Sequence, residues 1–502
     1  MSLDSIQRIA ASGLANVSAG LGIVGQNVAN AGTAGYSREV STQTSLTAGG
    51  QGMGVLTGLV GRALDLTLQA DVQRQGATVA GLQTRQQALQ QLDAVLGTTG
   101  AGSDLASLVT GVQAALAALR GDPANQTQQQ AVVAAAGVLA AGVNTLSGAM
   151  GDARQTAQDG AVADVGAINA ALASIGRISD QIVRLQAGGD STADLQNQRD
   201  GLVDGLSALV PVRTVTQPNG DMAIATAGGL GLPTRGGAAL SLAAAALGPG
   251  QYYPGGGAPG VMLGNTDVSA AVGGGQLGAR LVLRDTTLPA DQAGLDSFAQ
   301  TLASRFDAQG LRLFSDAGGN VPASTATLGF ANGIQVNPAV SADVALVRDG
   351  TAAVAGSPGG ASAFTPNPAG GPAGSTTLID RLLAFALGSQ AQAGVAQPVP
   401  PATGLGAAGT IALPYPAPTT LTGFAAALVG AMAQDSASTT GQLATEQGLQ
   451  ASLQGKLASG GGVSVDTEMS AMVTLQNSYS ANAKVIATVQ NLWTVLFAMM
   501  PA

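Results

Sequence analysis

The sequence predicts a mainly α-helical, elongated, multi-domain protein whose two ends pair as coiled-coil helices. A discontinuous helical bundle and a small inserted β-rich domain are predicted between them. Three observations carry this prediction: apolar residues repeat at coiled-coil spacing near both termini, helical patterns fill most of the middle, and one Gly-rich stretch contains period-two alternation. Apolar residues that recur every 3.5 residues form one stripe on a helix, and that stripe has to be buried against another helix.

The C-terminal stretch from Met469 to Ala502 carries a single charge, at Lys484. Its apolar side chains fall on two seam positions of a heptad repeat. The first seam position holds Met472, Tyr479, Ile486, Trp493 and Met500, and the second holds Leu475, Asn482, Val489 and Leu496. A lone polar residue in an apolar seam costs stability but fixes register and partner number. Asn482 is therefore the predicted register residue.

The N-terminal stretch from Ile9 to Ser37 contains no charged residue. Its apolar residues step by four and three along the chain, at Ala10, Leu14, Val17, Leu21, Val24 and Val28. Neither end has enough apolar surface on its own face to fold alone, so we predict that the two helices pair. A helix in an ordinary core has the same spacing, and periodicity alone leaves assembly and core packing about equally favoured.

Helical spacing dominates from Leu66 to about Val210. Ser103 is a predicted N-cap, Ser191 with Asp194 resembles a capping box, and Pro211 ends the last helix. The predicted helices in this part are residues 69–96, 103–120, 127–186 and 193–209.

The character of the sequence changes at Pro211. Residues 212–216 alternate with period two, residues 218–221 form a predicted turn, and residues 222–224 resume the alternation. The following Gly-rich stretch, with short apolar runs at Gly260–Leu263 and Arg280–Leu283, completes a predicted compact β domain. Helical spacing returns over 291–313, 378–387 and 421–457. The predicted domains are residues 1–40 plus 460–502, residues 41–210 plus 288–459, and residues 211–287.

Composition excludes several functional classes. The chain has 502 residues, a net charge of −9, no cysteine and no histidine. The acidic balance argues against nucleic-acid binding, which depends on neutralising phosphates. The missing residue types remove thiolate chemistry, the commonest zinc ligand and every Ser-His-Asp triad. We therefore expect no catalytic, cofactor or metal site. No classical secretory signal opens the chain, and polar residues interrupt both terminal stretches, so no membrane insertion is expected.

Two local motifs have simpler interpretations. Gly20 to Gly25 matches GxGxxG literally, but the preceding residues have helical rather than strand spacing, and the first acidic residue, Glu39, follows too soon for dinucleotide binding. Asp200 and Asp204 lie four apart on a predicted helix, a spacing that could serve acid–base chemistry or cation binding. With Arg199 adjacent, we interpret them as a solvated helix face.

Two segments at opposite ends carry a family resemblance. Residues 27–39, which read Asn-Val-Ala-Asn followed by Thr33 and Gly35-Tyr36, resemble the N-terminal signature of bacterial flagellar axial proteins, the rod, hook and hook-associated proteins. Residues 465–469 and 479–486 resemble the matching C-terminal signature. Ser37-Arg38 is similar to the hook-associated members at the hook–filament junction, as are residues 194–200 with Leu202, residues 278–285 and residues 334–338.

The resemblance implies a structural subunit rather than an enzyme. It implies export without signal cleavage through the flagellar type III apparatus, assembly into a ring that joins hook to filament, and an extracellular location in the flagellum. The implied partners are further copies of the chain, the hook protein, a second junction protein and an export chaperone. The residues implied in assembly are Asn27, Asn30, Thr33, Gly35, Tyr36, Ser37, Arg38, Met472, Tyr479, Asn482, Ile486 and Trp493.

Two alternatives stay open at this point. A hook or rod protein of the same family would have a larger β content and a different element after Gly35-Tyr36. A wall-cleaving enzyme on an axial scaffold would need a cleft that holds a pair of carboxylates, and the sequence has no second module for one.

Overall fold

The computed structural model describes residues 2–33, 35–48, 50–97, 102, 104–416 and 418–499. Two sequence predictions, the N-cap at Ser103 and the seam residue Met500, lie outside these residues. The helices of the described chain are α1 Leu3–Ala29, α2 Leu66–Leu96, α3 Leu105–Gly121, α4 Gln126–Gly188, α5 Ala193–Leu209, α6 Gly275–Val282, α7 Leu288–Ala308, α8 Phe330–Gly333, α9 Pro338–Ala342, α10 Leu346–Asp349, α11 Thr377–Arg381, α12 Leu421–Gly461 and α13 Val465–Ala498. The prediction of a mainly helical chain with long helices at both ends is confirmed.

The strands are short apart from one hairpin. They are β1 Glu39–Ala48, β2 Gln51–Arg62, β3 Val212–Thr216, β4 Met222–Thr226, β5 Gly231–Leu232, β6 Leu240–Ser241, β7 Met262–Leu263, β8 Thr266–Asp267, β9 Phe314–Ser315, β10 Gln335–Val336, β11 Gln390–Gln392 and β12 Val395–Ala396. Two three-stranded sheets, β3-β4-β5 and β6-β7-β8, make up the sheet structure of the predicted β-rich region.

The β1–β2 hairpin has no counterpart in the sequence prediction, which placed residues 39–40 in the terminal domain and the rest of the hairpin in the helical domain. Its strands pair antiparallel from Glu39 opposite Arg62 to Ala48 opposite Gln51. Most of the described hairpin side chains are exposed or only partly buried, and β2 contains four glycines. Because no single face is buried, the apolar alternation that predicts a strand is absent.

The long helix α4 connects two hydrophobic cores. It has 63 residues, which corresponds to a length of ~95 Å at ~1.5 Å per residue. Its first half packs with α2, α3, α7, α11 and α12 in a core that includes the edge-to-face pair Phe298 and Phe424, with ring centroids 5.7 Å apart. Its second half packs with α5, α6, β3 and β4 around Ile168 and Leu206. One continuous helix thus holds the bundle and the sheet region together.

Two local predictions between residues 190 and 287 are wrong. The helix predicted over 193–209 forms with those bounds, but its N-cap Thr192 makes no side-chain capping bond, and Asp194 accepts instead from Gln198 Nε2 at 3.0 Å. The apolar run Arg280–Leu283 belongs to helix α6 and the single π-helical turn that follows it, rather than to a strand. Leu277 and Leu281, four residues apart, are both buried there, which is helical spacing. The outer boundary of the predicted β-rich domain stays a prediction.

Helices α1 and α4 are long and apolar enough to cross a membrane by length and composition alone. Each packs its apolar side against other elements of the same chain. Helix α4 buries residues in both cores, and α1 buries Ala10, Val17 and Val24 on the side that meets α13 and the hairpin. The core helix of a globular domain meets the same two criteria.

A partly buried carboxyl in the bundle leads to a pH-dependent prediction. Burial and, after it, the Asp435 carboxylate raise the pKa of Asp291 on α7 to about 7, and Arg85 opposes the shift. The folded state therefore holds this proton more tightly than the unfolded chain, so the Asp291 contribution to stability is full below about pH 4 and is lost as the pH rises to about 7. Asn carries no charge to bury. Asp291→Asn should unfold at the same denaturant concentration as the parent near pH 4 and be more stable by about 2 to 4 kcal/mol at pH 7.5. An equal gain at both pH values would contradict the expectation.

Candidate assembly site

The two terminal helices form an antiparallel pair. On α1, a Cβ atom added at Gly13 would lie 2.9 Å from Asn482 Oδ1, and one added at Gly20 would lie 3.2 Å from Leu475 Cδ2. One heptad further on, Asn27 Nδ2 donates to Glu468 Oε2 at 3.2 Å. The residue numbers of these contacts increase by seven along α1 and decrease by seven along α13, so the two helices run in opposite directions.

The contact line on α13 is the second of the two predicted seam positions. Leu475, Asn482 and Val489 occupy this position. The contacts with α1 start one heptad before Leu475, at Glu468. Val489 and Glu468 are the buried residues of this helix. Glycines on α1 opposite Leu475 and Asn482 allow the two backbones to approach closely.

The first predicted seam position lies beside this contact line. Met472, Ile486 and Trp493 are partly buried, whereas Tyr479 is 42% exposed in the single chain. The role of these residues in assembly stays a prediction. Leu496 is also exposed, at 46%. By the register of the pair, residue 492 lies opposite Leu3, so Leu496 extends past the first residue of α1.

Asn482 is satisfied within its own helix. Its Nδ2 atom donates to the Ser478 carbonyl oxygen at 3.1 Å, and its side chain fills the space left by the missing side chain of Gly13. The amide is therefore held by shape against α1 rather than by a hydrogen bond to it. Its predicted role in register stays a prediction.

The hairpin binds the other side of α1 through polar side chains. Ser12 Oγ accepts from the Val55 backbone N–H at 3.2 Å, and Asn16 Oδ1 accepts from Thr57 Oγ1 at 3.0 Å. Asn16 is itself buried. Two of the polar residues that interrupt the apolar N-terminal stretch thus bind the hairpin through hydrogen bonds. The local sequence pattern does not predict this hairpin.

Asn27 is the centre of a joint between the terminal helices and the rest of the chain. It is 1% exposed. Its Oδ1 atom accepts from the Glu39 backbone N–H at 2.9 Å and from Tyr36 Oη at 3.1 Å, while Nδ2 donates to the Glu39 carbonyl at 3.0 Å and to Glu468. Both the donor and the acceptor of one amide are fully used, and they connect α1, β1 and α13.

The turn that follows α1 contains the other N-terminal motif residues. Thr33 Oγ1 donates to Asn30 Oδ1 at 3.3 Å, and Asn30 Nδ2 donates to the Gln26 carbonyl at 3.1 Å. Gly35 has φ of +77°, a left-handed conformation that favours glycine. These residues shape the turn and bring Tyr36 back to Asn27.

Ser37 and Arg38 connect this turn to the helical bundle. The Ser37 N–H donates to Asn197 Oδ1 at 3.3 Å, and Asn197 Nδ2 returns a bond to the Ser37 carbonyl at 3.1 Å. The Arg38 N–H donates to the Gly461 carbonyl at 2.8 Å, and the Arg38 guanidinium lies 3.5 Å from Glu468. Two segments that resemble the same family therefore contact each other, the one around Ser37 and the one at residues 194–200.

A buried ion pair anchors the joint in α5. Arg62 Nη1 lies 2.6 Å from Asp200 Oδ2, and both side chains are about nine-tenths buried. Gln69 Nε2 donates to the same carboxylate oxygen at 3.0 Å. The interpretation of Asp200 and Asp204 as a solvated helix face is wrong for Asp200, which is buried, whereas Asp204 is exposed. The adjacent Arg199 is also buried, at 2% exposure, and donates to the Gly220 carbonyl at 2.8 Å. The partners of Arg199 and Asp200 come from elements distant in sequence.

Negative charge is concentrated inside the joint. Burial and then the Asp194 carboxylate raise the pKa of Glu39, and Arg62 opposes the shift. Oε1 of Glu39 is buried without a hydrogen-bond partner among the described residues. Arg38 and Arg62 are the cations that offset Glu39, Glu468 and Asp200 here.

The glycines of the GxGxxG match lie inside α1, with no strand before them. Within the described ranges, no group of three or more acidic residues is placed to hold a metal ion.

The glycine contacts in the terminal pair lead to a second prediction. Gly13→Leu should force Asn482 away and weaken the pair by about 1 to 3 kcal/mol, since extra atoms in a packed contact cost that much. Gly22, on the same helix, has open space around its missing side chain. Gly22→Ala should therefore stabilise α1 against local opening by about 0.5 to 1 kcal/mol and so slow the hydrogen exchange of its amides slightly. Amide hydrogen exchange of α1 and α13 measures both effects, and equal losses of protection would refute the close contact.

Comparisons with known proteins support the family resemblance. Residues 89–321 match the model of the flagellar hook-associated protein FlgK helical domain, and residues 453–496 match that of the flagellar basal body rod FlgEFG protein C-terminal region. Flagellar hook-associated protein 1 of Bacillus subtilis is 29% identical over 224 residues, which is 42% of this chain and 44% of that protein. The Salmonella typhimurium protein of the same name is 28% identical over 328 residues, which is 63% of this chain and 58% of that protein.

The chain thus spans about half the length of the curated relatives it matches. Among solved structures, the flagellar hook junction protein FlgK from Burkholderia pseudomallei aligns with a TM-score of 0.41 and 25% sequence identity, over 50% of this chain and 45% of that one.

Proposed function

We propose that this chain, a member of the flagellar hook-associated protein 1 family, is a structural subunit of the bacterial flagellum that joins the hook to the filament and is required for filament assembly. The observation that carries the proposal is the antiparallel terminal pair, because it combines both family signatures and leaves much of its apolar surface uncovered. In this function the chain performs no catalysis and acts only by binding its neighbours.

The uncovered apolar surface lies mainly on α13 and on the hairpin. The exposed large apolar side chains there are Val465, Met469, Val473, Tyr479, Val485, Leu492, Val495, Leu496, Phe497 and Met499 on or at the end of α13, and Leu46, Met53, Leu56 and Leu59 on the hairpin. Contiguous apolar patches on a protein surface mark interaction sites. Helix α13 is ~51 Å long at ~1.5 Å per residue, long enough to contact several neighbours along a tube.

The proposed partners follow from this position. Further copies of the chain would cover the apolar side of α13 in a ring, the hook protein would lie on one side of that ring, and a second junction protein would lie on the other. An export chaperone would protect the apolar termini before assembly. The subunit would leave the cell through the flagellar type III apparatus and act outside the cell, at the hook–filament junction.

The three predicted domains would then have separate places in the tube. Residues 1–40 with 460–502 would form the innermost layer, residues 41–210 with 288–459 the helical layer around it, and residues 211–287 an outward β-rich part. The joint around Asn27 lies where the first two meet. It would hold them together through several hydrogen bonds of one amide, those of Asn27 to Glu39 and Glu468.

The proposal is tested by deleting the gene and imaging the cells by negative stain. We expect hooks without filaments, with unassembled flagellin in the medium, and recovery when the full chain is supplied. Filaments of normal length on the deletion strain would contradict the proposal. Incubation of the purified chain with peptidoglycan tests the wall-cleaving alternative, for which soluble fragments would be required.

The register role of Asn482 leads to a third prediction. Leu has the same branching as Asn but cannot bond to the Ser478 carbonyl, so Asn482→Leu should loosen the register of α13 against α1, on which ring formation would depend. Asn477→Leu makes the same change on the exposed side of the helix. Ring formation by the purified variants, measured by electron microscopy, should fail or become heterogeneous only for Asn482→Leu. Unaltered rings in that variant would refute the role.

A further inference from the structure

Glu39 places a buried carboxyl group inside the joint without a partner. The residue is 7% exposed. Its carboxyl group makes no ion pair or hydrogen bond with the described residues, and its Oε1 atom is enclosed. The other buried carboxylates of the described chain each accept at least one hydrogen bond; they are Asp104, Asp164, Asp200, Asp296 and Glu468. An ionised carboxylate that has lost water and gained no donor is costly, so the place favours a protonated Glu39.

The backbone of Glu39 is part of the bonds that close the joint. Its N–H donates to Asn27 Oδ1 at 2.9 Å, and its carbonyl accepts from Asn27 Nδ2 at 3.0 Å. It is also the first residue of β1 and pairs opposite Arg62 on β2. Because the carboxyl group and these bonds share one enclosed place, water reaches the carboxyl group most readily when the bonds open.

Neither arginine of the joint is free to neutralise Glu39. Arg62 lies 2.6 Å from the Asp200 carboxylate, and Arg38 lies 3.5 Å from the Glu468 carboxylate. The charged or titratable groups around Glu39 come from each element that meets there, apart from α1, which is uncharged from Ile9 to its end; they are Asp194, Asp200 and Asp204 on α5, Arg62 on β2, Tyr36 and Arg38 in the turn after α1, and Glu468 on α13. Carboxylates therefore outnumber cations in the joint.

These surroundings set the direction in which Glu39 responds to pH. Burial and then the Asp194 carboxylate raise the pKa of Glu39, against the opposing effect of Arg62. Burial and then the Glu39 carboxylate raise the pKa of Tyr36 to about 12, so Tyr36 stays neutral wherever Glu39 titrates. The closed joint holds the Glu39 proton more tightly than the open joint does. The Glu39 contribution to the stability of the joint is therefore full below the ordinary glutamate range and is lost as the pH rises through the raised pKa.

We propose that Glu39 makes the joint a pH-sensitive switch, which holds the terminal pair firmly to the helical bundle when the Glu39 carboxyl group is protonated and loosens when it is ionised. The contacts that carry this inference lie within one chain. It does not depend on the proposed place of the subunit in the flagellum.

Nuclear magnetic resonance can follow this proton directly, because the chain has three glutamates, Glu39, Glu446 and Glu468. In the full chain with isotope-labelled glutamate δ-carbons, the titrating signal that is lost in Glu39→Gln belongs to Glu39. We expect that signal to titrate above the ordinary glutamate value of about 4.3. Titration at or below that value would overturn the proposal.

Asp194→Asn tests the cause of the shift without changing Glu39. It removes a neighbouring negative charge and keeps an oxygen that can accept from Gln198, so the Glu39 signal should titrate at lower pH. Asp152→Asn makes the same change at an exposed position on α4 and is the matched control, which should leave the Glu39 titration where it is. Equal shifts in the two variants would contradict the assigned charge environment.

Amide hydrogen exchange shows whether the proton controls the joint. The N–H groups of Ser37, Arg38 and Glu39 each donate across it, so their protection, corrected for the intrinsic exchange rate at each pH, reports its opening. We expect protection in the parent to fall by about threefold to tenfold between about pH 4.5 and about pH 7.5. The local readout separates this effect from the titration of Asp291 on α7.

Glu39→Gln cannot ionise, so its protection at these three amides should vary less with pH than that of the parent. An equal fall in the parent and in Glu39→Gln would overturn the proposal. If Glu39→Gln does not fold, Asp194→Asn decides the matter, because it should reduce the fall in protection at about pH 6 while Asp152→Asn should not. An unchanged fall in Asp194→Asn would then refute the switch.

Discussion

A chain that ends at Val463 is expected to remain folded and yet to leave cells without attached filaments. The two hydrophobic cores contain no residue of α13, whose own buried residues are Glu468 and Val489. Removal of residues 464–502 therefore takes away the partner of α1 and most of the exposed apolar surface while it leaves the cores intact. Complementation of a deletion strain, scored by electron microscopy, measures attachment, and circular dichroism of the purified variant measures folding.

The control for this truncation is a chain that ends at Ala498, which keeps the whole of α13. It should restore filaments to at least a large fraction of cells, because the contacts described above between α1 and α13 are retained. Normal filaments on cells that carry only the chain ending at Val463 would sink the proposed role of the terminal pair. Loss of cooperative unfolding in the same variant would show instead that the cores depend on α13.

Asn27→Leu is expected to disconnect the terminal helices from the bundle more strongly than other single changes in the joint. The substitution leaves the Glu39 N–H and carbonyl without partners in a buried place, and it removes one bond each from Tyr36 and Glu468. Each unsatisfied buried group costs about 1 to 3 kcal/mol, so a local loss of about 3 kcal/mol or more is expected. Hydrogen exchange at residues 27–39 and limited proteolysis after α1 measure this loss.

Asn30→Ala is the matched control for that substitution. Asn30 bonds to Gln26 and Thr33 at the end of the same helix, where the side chain is close to solvent. A cost of about 1 kcal/mol or less is expected there. If the two variants lose protection to the same extent, the joint does not depend on the Asn27 amide. If neither changes proteolysis, the joint is held elsewhere, with the Arg62–Asp200 pair as the strongest remaining contact.

Helices were predicted well wherever burial follows the helical period. The predicted helix over 193–209 has the same bounds in α5, and the predicted tracts 69–96 and 127–186 lie within α2 and α4. Prolines and glycines in the sequence indicated where many of these helices end. The capping residues were less predictable, since a cap depends on the geometry of a single turn: Asp104, next to the predicted Ser103, caps α3 by accepting from the Ser107 N–H at 3.1 Å.

The hairpin and the joint could not be predicted from local pattern. The hairpin is stabilised by strand pairing and by Ser12 and Asn16 of α1 rather than by a buried apolar face. Arg199 and Asp200 have the composition of a solvated helix face, but both are buried because Arg62, Gln69 and the Gly220 carbonyl reach them from distant elements. A polar residue's burial is decided by its partners, and those are separated from it by up to 138 positions along the chain.

The sequence alone determined that the chain is mainly helical, that its uncharged apolar ends would pair, and that the signatures at 27–39 and 465–486 belong to one family of axial proteins. Those conclusions rest on periodicity and on residue identity, which are local properties. Only the tertiary structure decided that the pair is antiparallel, that the line of Glu468, Leu475, Asn482 and Val489 meets α1, and that Asn27 connects three elements. Direction, register and hydrogen-bond partners are relations between distant segments, and these depend on how the whole chain packs.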